Sequence, residues 1–142
     1  MIFYADASFL VSLYSLDANS AQAASILKRA QLPLPITPLG EFEFVNAITL
    51  RVFRKEISPT EAHSSLNLMA DDVRNGVLSQ KPFSSSIVDL ARQLSLKYSA
   101  RLGTRSLDVL HVASALALRA TTFLTFDLRQ RKLALAAKLR VR

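Results

Sequence analysis

Apolar residues follow two rhythms along this chain. Short unbroken runs alternate with longer stretches whose apolar positions recur at helical spacing. Ile2-Phe3-Tyr4-Ala5 is the first unbroken run and reads as a buried strand. Asp6-Ala7-Ser8 then opens a helix to about Leu16, with Asp6 or Ser8 available to cap its free N–H groups. Asn19 or Ser20 begins a second helix to about Gln31, whose apolar face is Ala23, Ala24, Ile26, Leu27 and Ala30. Leu32 to Thr37 reads as a short strand whose prolines suit a strand end or an edge. Pro38 starts a long helix to about Arg54. Ser58-Pro59-Thr60-Glu61 restarts another as a capping box, and Asn75-Gly76 ends it near Arg74. Val77 to Phe83 is extended, and Ser84 to Ser86 precede a helix from about Ile87 to Tyr98. After the Gly103–Ser106 loop, Ser106 is expected to cap a helix from Leu107 to about Arg119. Thr121 to Phe126 is a β-branched and aromatic strand closed by Asp127. A helix to about Ala137 and a short strand at Leu139–Arg142 complete the reading.

Strands that alternate with helices predict an α/β fold, a central parallel sheet of four or five strands flanked by helices. Neither a repeat nor a linker divides the chain, so residues 1–142 read as a single domain. Without cysteine there is no disulfide or thiolate metal site, and a reducing compartment is allowed. No apolar run approaches the roughly 20 residues of a membrane span. The N-terminus lacks the order of a signal peptide, so a soluble, cytoplasmic protein is expected. The formal net charge of +7 changes the picture further, because it favours a polyanionic partner such as nucleic acid.

Against that basic background, a few acids stand in telling places. Phe3-Tyr4-Ala5-Asp6 and Leu124-Thr125-Phe126-Asp127 each deliver an aspartate at the carboxyl end of a strand. In a parallel sheet both ends face the same side, the side where ligands bind in open α/β folds. Asp108, and either Glu41 or Glu43, lie near the starts of apolar helices that can reach the same edge. Glu43 shares a helix face with Asn46, whereas Glu41 points elsewhere, so Glu43 is preferred. His111 lies one turn after Asp108 and reads as a core histidine bonded to backbone or carboxylate. Carboxylates about 4 Å apart repel by roughly 4 kcal/mol per pair at an effective dielectric of 20. Convergence of all four therefore calls for cations or shared protons, and hard ions such as Mg²⁺ or Mn²⁺ take oxygen ligands. An acidic centre in a basic shell suits a metal-dependent nuclease. The plainer alternative is that each acid only caps a helix.

The ordered motifs separate these readings. Tyr4-Ala5-Asp6-Ala7-Ser8, Thr37-Pro38-Leu39 with Glu43-Phe44-Val45-Asn46-Ala47, Ser106 to Ala115, and Leu124 to Gln130 together resemble the PIN-domain ribonucleases, especially VapC-type toxins of toxin–antitoxin pairs. The resemblance covers essentially the whole chain and implies a PIN-like fold. It implies an acidic quartet of Asp6, Glu43, Asp108 and Asp127 that binds Mg²⁺ or Mn²⁺, with Asp6 and Asp108 as the most direct ligands. Ser8, Asn46 and Thr125 match supporting hydrogen-bonding groups. It further implies RNA cleavage, a cognate antitoxin that inhibits the enzyme, and a homodimer.

Arg105, Arg129 and Lys132 stand close in sequence to the quartet and are the candidates for RNA phosphate contacts, with Arg101 a weaker one. Two rivals remain. One is a catalytically silent RNA-binding or assembly module on the same fold. The other is a phosphotransfer domain, which wants a second aspartate where Ser8 stands. DNA is an alternative substrate within the nuclease reading.

Overall fold

The computed structural model describes all residues from Met1 to Arg142. Its strands are β1 (Phe3–Ala5), β2 (Leu34–Ile36), β3 (Leu78–Gln80), β4 (Thr122–Leu124) and β5 (Arg140–Val141). Its helices are α1 (Ala7–Tyr14), α2 (Ser20–Leu27), α3 (Pro38–Phe53), α4 (Pro59–Arg74), α5 (Ser85–Leu94), α6 (Ala100–Leu102), α7 (Ser106–Ala117) and α8 (Leu128–Ala136). A π turn, Ser95–Ser99, joins α5 to α6, so the helix expected to reach Tyr98 changes pitch at Leu94. In that arrangement the Tyr98 hydroxyl donates to the Ala136 carbonyl at 3.1 Å.

All strand pairs are parallel. β4 lies between β1 and β5, with Tyr4 opposite Phe123 and Phe123 opposite Val141. β2 pairs with β3, and its other side lies against β1. No ladder joins β1 to β2, and Pro35 explains the gap. Leu34 N donates to Val77 O and Ile36 O accepts from Lys81 N, so both residues face β3. Residue 35 therefore turns its backbone toward β1, where proline has no N–H to give. The prolines were expected at a strand end or edge. β2 is such an edge: Pro35 sits mid-strand, and its backbone turns to the side that faces β1 and pairs with no strand.

Alternation along the strands divides the core in two. Phe3, Ala5 and Leu124 pack with Phe9, Leu10, Phe44, Ile48 and Met69 under α1 to α4. Tyr4 and Phe123 point the other way and join Ile87, Val109, Val112 and Leu133 under α5, α7 and α8. Each large side chain fully buried this way contributes roughly 1.5–3 kcal/mol. Strands covered on both faces need continuous apolar runs, which is why Phe3-Tyr4-Ala5 shows no alternation. No helix is long and apolar enough to cross a membrane.

The connections carry the N-terminal ends of α1, α3, α7 and α8 to the carboxyl edge of the sheet. Asp6, Thr37 and Asp127 stand between strand and helix, each with its side chain accepting from the first turn. Four helix N-termini thus direct partial positive charge at one edge.

Candidate metal centre

Asp6 is wholly buried, and protein donors surround its carboxylate. Oδ1 accepts from Ser8 Oγ at 2.7 Å and Phe9 N at 2.9 Å, while Oδ2 accepts from Thr125 Oγ1. Burial pushes the Asp6 carboxyl above its ordinary range, and the Ser8, Thr125 and Phe9 hydrogen bonds oppose that shift. Thr125 and Ser8 also fix the next turn. Thr125 Oγ1 accepts from Asp127 N at 2.9 Å, and Ser8 Oγ accepts from Phe126 N at 2.9 Å. The end of β4 is therefore tied to the end of β1 through two hydroxyls and one carboxylate.

Asp127 caps α8 through Oδ1, which accepts from Arg129 N at 2.8 Å and Gln130 N at 3.0 Å. Asp108 stands in the third position of α7, not at its cap. Arg105 occupies the cap, Ser106 is the first helical residue, and Asp108 Oδ2 reaches back to Arg105 N at 3.0 Å. This corrects the expectation that Ser106 caps the helix. A guanidinium has no acceptor, so the reciprocal half of a capping box is absent.

Glu43 comes from α3, on the other face of the sheet from α7. Its Oε2 meets His111 Nε2, and His111 Nδ1 lies 2.9 Å from the Tyr4 hydroxyl. A carboxylate only accepts, so Nε2 carries a proton toward Glu43, and in the neutral imidazole the Tyr4 hydroxyl donates to Nδ1. His111 is fully buried, a core histidine bonded to a carboxylate as expected, and this contact ties α3 to α7 across the edge. Glu41 instead accepts from Gln80 Nε2 at 2.8 Å and lines a separate groove between α3 and α4.

Glu43 and Asp127 open onto one cavity of about 660 Å³, together with Ser8 and Asn46. Asp6 lies one hydrogen bond behind Ser8, and Asp108 follows Leu107 of the cavity wall, but neither lines the cavity itself. No three His, Asp or Glu side chains are grouped closely enough to hold an ion among them. The donor chemistry nevertheless fits a hard, hydrated cation. Glu43 Oε1, Asp108 Oδ1 and Asp127 Oδ2 have no hydrogen bond from the protein. Hydrated Mg²⁺ needs only one or two carboxylates. Gln130, also on the wall, keeps its buried Oε1 without a partner.

Of the basic candidates, Arg105 and Arg129 meet the acids only through their backbone N–H groups. Neither they nor Lys132 nor Arg101 lines the cavity, and all four are exposed. The arginines that do line it are Arg51 of α3 and Arg54 at its C-terminal cap. Arg51 is fixed by Ser15 Oγ at 2.6 Å and by Glu56 at 3.1 Å, and Arg54 is exposed. They stand two and three turns beyond Glu43 on a helix whose Glu43 and Asn46 face was already singled out, so continuing that face would have found them.

The family described as PIN domain matches residues 3–135. None of the curated proteins matches the sequence. Among solved structures, Mycobacterium tuberculosis VapC20, a sarcin-ricin loop cleaving toxin, is similar with a TM-score of 0.69 at 14% identity, over 97% of this chain and 98% of that one. FitAcB from Neisseria gonorrhoeae gives 0.68 at 14% identity, over 99% and 96%. VapBC2 from Rickettsia felis, bound to a DNA fragment of its promoter, gives 0.67 at 16% identity, over 100% and 98%. At such identities the likeness is one of fold.

Proposed function

We propose, for a chain that belongs to the PIN domain family, the function of a Mg²⁺- or Mn²⁺-dependent endoribonuclease that acts as the toxin of a toxin–antitoxin pair. One observation carries this reading. Glu43 and Asp127, far apart in sequence, open onto one cavity whose wall residue Ser8 holds Asp6. Asp6, Glu43, Asp108 and Asp127 would hold a hydrated ion, Glu43 and Asp127 from the cavity wall and Asp6 and Asp108 through its water shell. Bound there, the ion supplies water activation and charge neutralisation at the phosphodiester.

The chain's own groups do the rest. Ser8, Thr125 and Phe9 N hold Asp6 in one orientation, so the ligand geometry is set before substrate arrives. His111 restrains Glu43 in the same way, with Tyr4 behind it. Arg54, and Arg51 beside its partner Glu56, place positive charge on the wall two and three turns of α3 beyond Glu43, where a phosphate of the RNA can sit. VapC20 is a sarcin-ricin loop cleaving toxin of the same fold, which supports a nuclease toxin reading here. A cognate antitoxin and a homodimer complete the proposal.

Asp6→Asn and Asp108→Asn test it. Asn still accepts a cap hydrogen bond, so both variants are expected to fold, with circular dichroism like the parent, and to lose Mn²⁺-dependent RNA cleavage. Full cleavage by either variant in excess metal would sink the assignment. A silent RNA-binding module draws on a separate observation, that no three acids are grouped and Glu43 is already engaged by His111. Calorimetric titration decides between them, since no heat at millimolar Mn²⁺ favours the silent module.

A further inference from the structure

The central cavity is poorly suited to draw in a polyanion by itself. Asp17, Glu43, Glu56 and Asp127 line it against only Arg51 and Arg54, and Arg51 is already paired with Glu56. A second concavity, of about 510 Å³, has the opposite character. Arg29 in the turn after α2, Arg131 of α8 and Arg142 beyond β5 converge on it, with Gln22 and Ser25 as polar neighbours. No side-chain carboxylate lines it, and none of the three arginines takes part in an ion pair. Arg29 donates to Ser25 Oγ at 2.9 Å, and all three guanidinium groups are otherwise free for a ligand.

Its position gives it a use. Arg131 follows Gln130, which lines the acidic cavity, so the first turn of α8 separates the two concavities. Asn19 lines one and Gln22, three residues on at the start of α2, lines the other. The Arg142 carbonyl accepts from Thr125 N at 3.0 Å, and Thr125 Oγ1 donates to Asp6. The arginine concavity therefore lies on the same carboxyl edge of the sheet, immediately past Asp127.

We propose that Arg29, Arg131 and Arg142 form a phosphate-binding subsite that holds the RNA backbone beside the acidic cavity. This rests on the ribonuclease reading. Arginine's planar fork suits phosphate oxygens, and three such groups gathered without an acidic side chain favour an anion between them. The subsite supplies the attraction that the acidic cavity lacks, and it sets how a strand must run past Asp127. Arg129 and Lys132, on the same helix, face neither concavity.

The test measures binding of a short fluorescein-labelled single-stranded RNA to the full chain in EDTA, so that nothing is cut, across a series of KCl concentrations. Each phosphate contact on a single strand contributes roughly 0.7 to the slope of log K against log salt. Arg29→Gln/Arg131→Gln/Arg142→Gln is expected to flatten that slope by about 2 and to weaken binding on the order of a hundredfold near 0.1 M salt. Replacing all three by lysine, which keeps the charge, should restore most of the slope. Lys81→Gln/Arg92→Gln/Lys97→Gln removes the same number of basic side chains elsewhere and should leave the slope near that of the parent. An unchanged slope in the arginine variant, or an equal loss in the control, overturns the subsite while the ribonuclease reading stands. A parent chain that neither binds nor cuts RNA overturns both.

Discussion

Tyr4 shows how one residue serves both core and site. Its ring stacks on Phe123 within the core, and its hydroxyl meets His111 at the sheet edge. Tyr4→Phe keeps the ring and removes the hydrogen bond, leaving a buried imidazole nitrogen unpaired. That costs about 1–3 kcal/mol, to be read from urea unfolding. Because His111 restrains Glu43, cleavage should fall roughly 10- to 100-fold as well, as for other groups that orient metal ligands. A stability loss with full activity would show that His111 is purely structural. Tyr14 and Tyr4 also set the alkaline limit. Burial, then the hydrogen bond and charge of Asp72, push the Tyr14 phenol well above its ordinary value, and burial does the same for Tyr4. The folded chain keeps these protons after the unfolded chain has lost them. Stability is therefore complete below about pH 10 and falls as pH rises beyond it, by about 1.4 kcal/mol per pH unit for each retained proton. Tyr14→Phe should flatten this fall in denaturant titrations between pH 9 and 11. An unchanged profile would exclude Tyr14 as a source.

Helix ends separate what the sequence makes visible from what it conceals. The capping box at Ser58 and Glu61 was readable because its chemistry is local, and both reciprocal hydrogen bonds are present. Asp6 and Asp127 were readable for the same reason, as polar residues that end apolar runs. The helix ends near Arg54, Arg119 and Ala137 were readable too, but not the left-handed residues Lys55, Arg119 and Lys138 that close them. Each has a positive φ, 60°, 58° and 65°, a conformation that favours glycine. Each closes its helix by paired hydrogen bonds, such as Lys55 N to Val52 O and Glu56 N to Arg51 O, both 2.9 Å. A lysine there carries no turn signal, because tertiary packing of the next segment imposes the bend. Replacing these three residues by glycine should each stabilise the fold by about 0.5–1 kcal/mol. The sites are far apart in the chain, so the triple variant should combine the gains in a thermal melt. Neutral or destabilised variants would mean that the basic side chains themselves hold the helix ends. The Glu43–His111–Tyr4 connection was equally hidden, since it joins residues that are 68 and 107 positions apart. No local pattern encodes such a pairing, although His111 as a core histidine was legible from its apolar neighbours.

At the scale of the whole molecule, the fold concentrates negative charge at one sheet edge of a basic protein. Helix N-termini and hydroxyls offset part of that repulsion, yet Glu43, Asp108 and Asp127 each keep a carboxylate oxygen that no protein donor satisfies. A cation bound only by the folded state must then stabilise the whole domain by mass action. At a metal concentration one hundred times Kd the gain is about 2.7 kcal/mol. For a chain of this length each kcal/mol raises Tm by roughly 3–5 °C, so saturating Mn²⁺ should raise it by about 8–13 °C. Glu43→Gln and Asp127→Asn should reduce the shift, because each withdraws a charged oxygen from the cavity. Asp89→Asn, a surface acid paired with Arg92 on α5, should leave it intact. An equal shift in all three variants would mean that the metal binds elsewhere on the protein. No shift in the parent chain at millimolar Mn²⁺ would remove the metal from the proposal and leave a fold that positions RNA without cutting it.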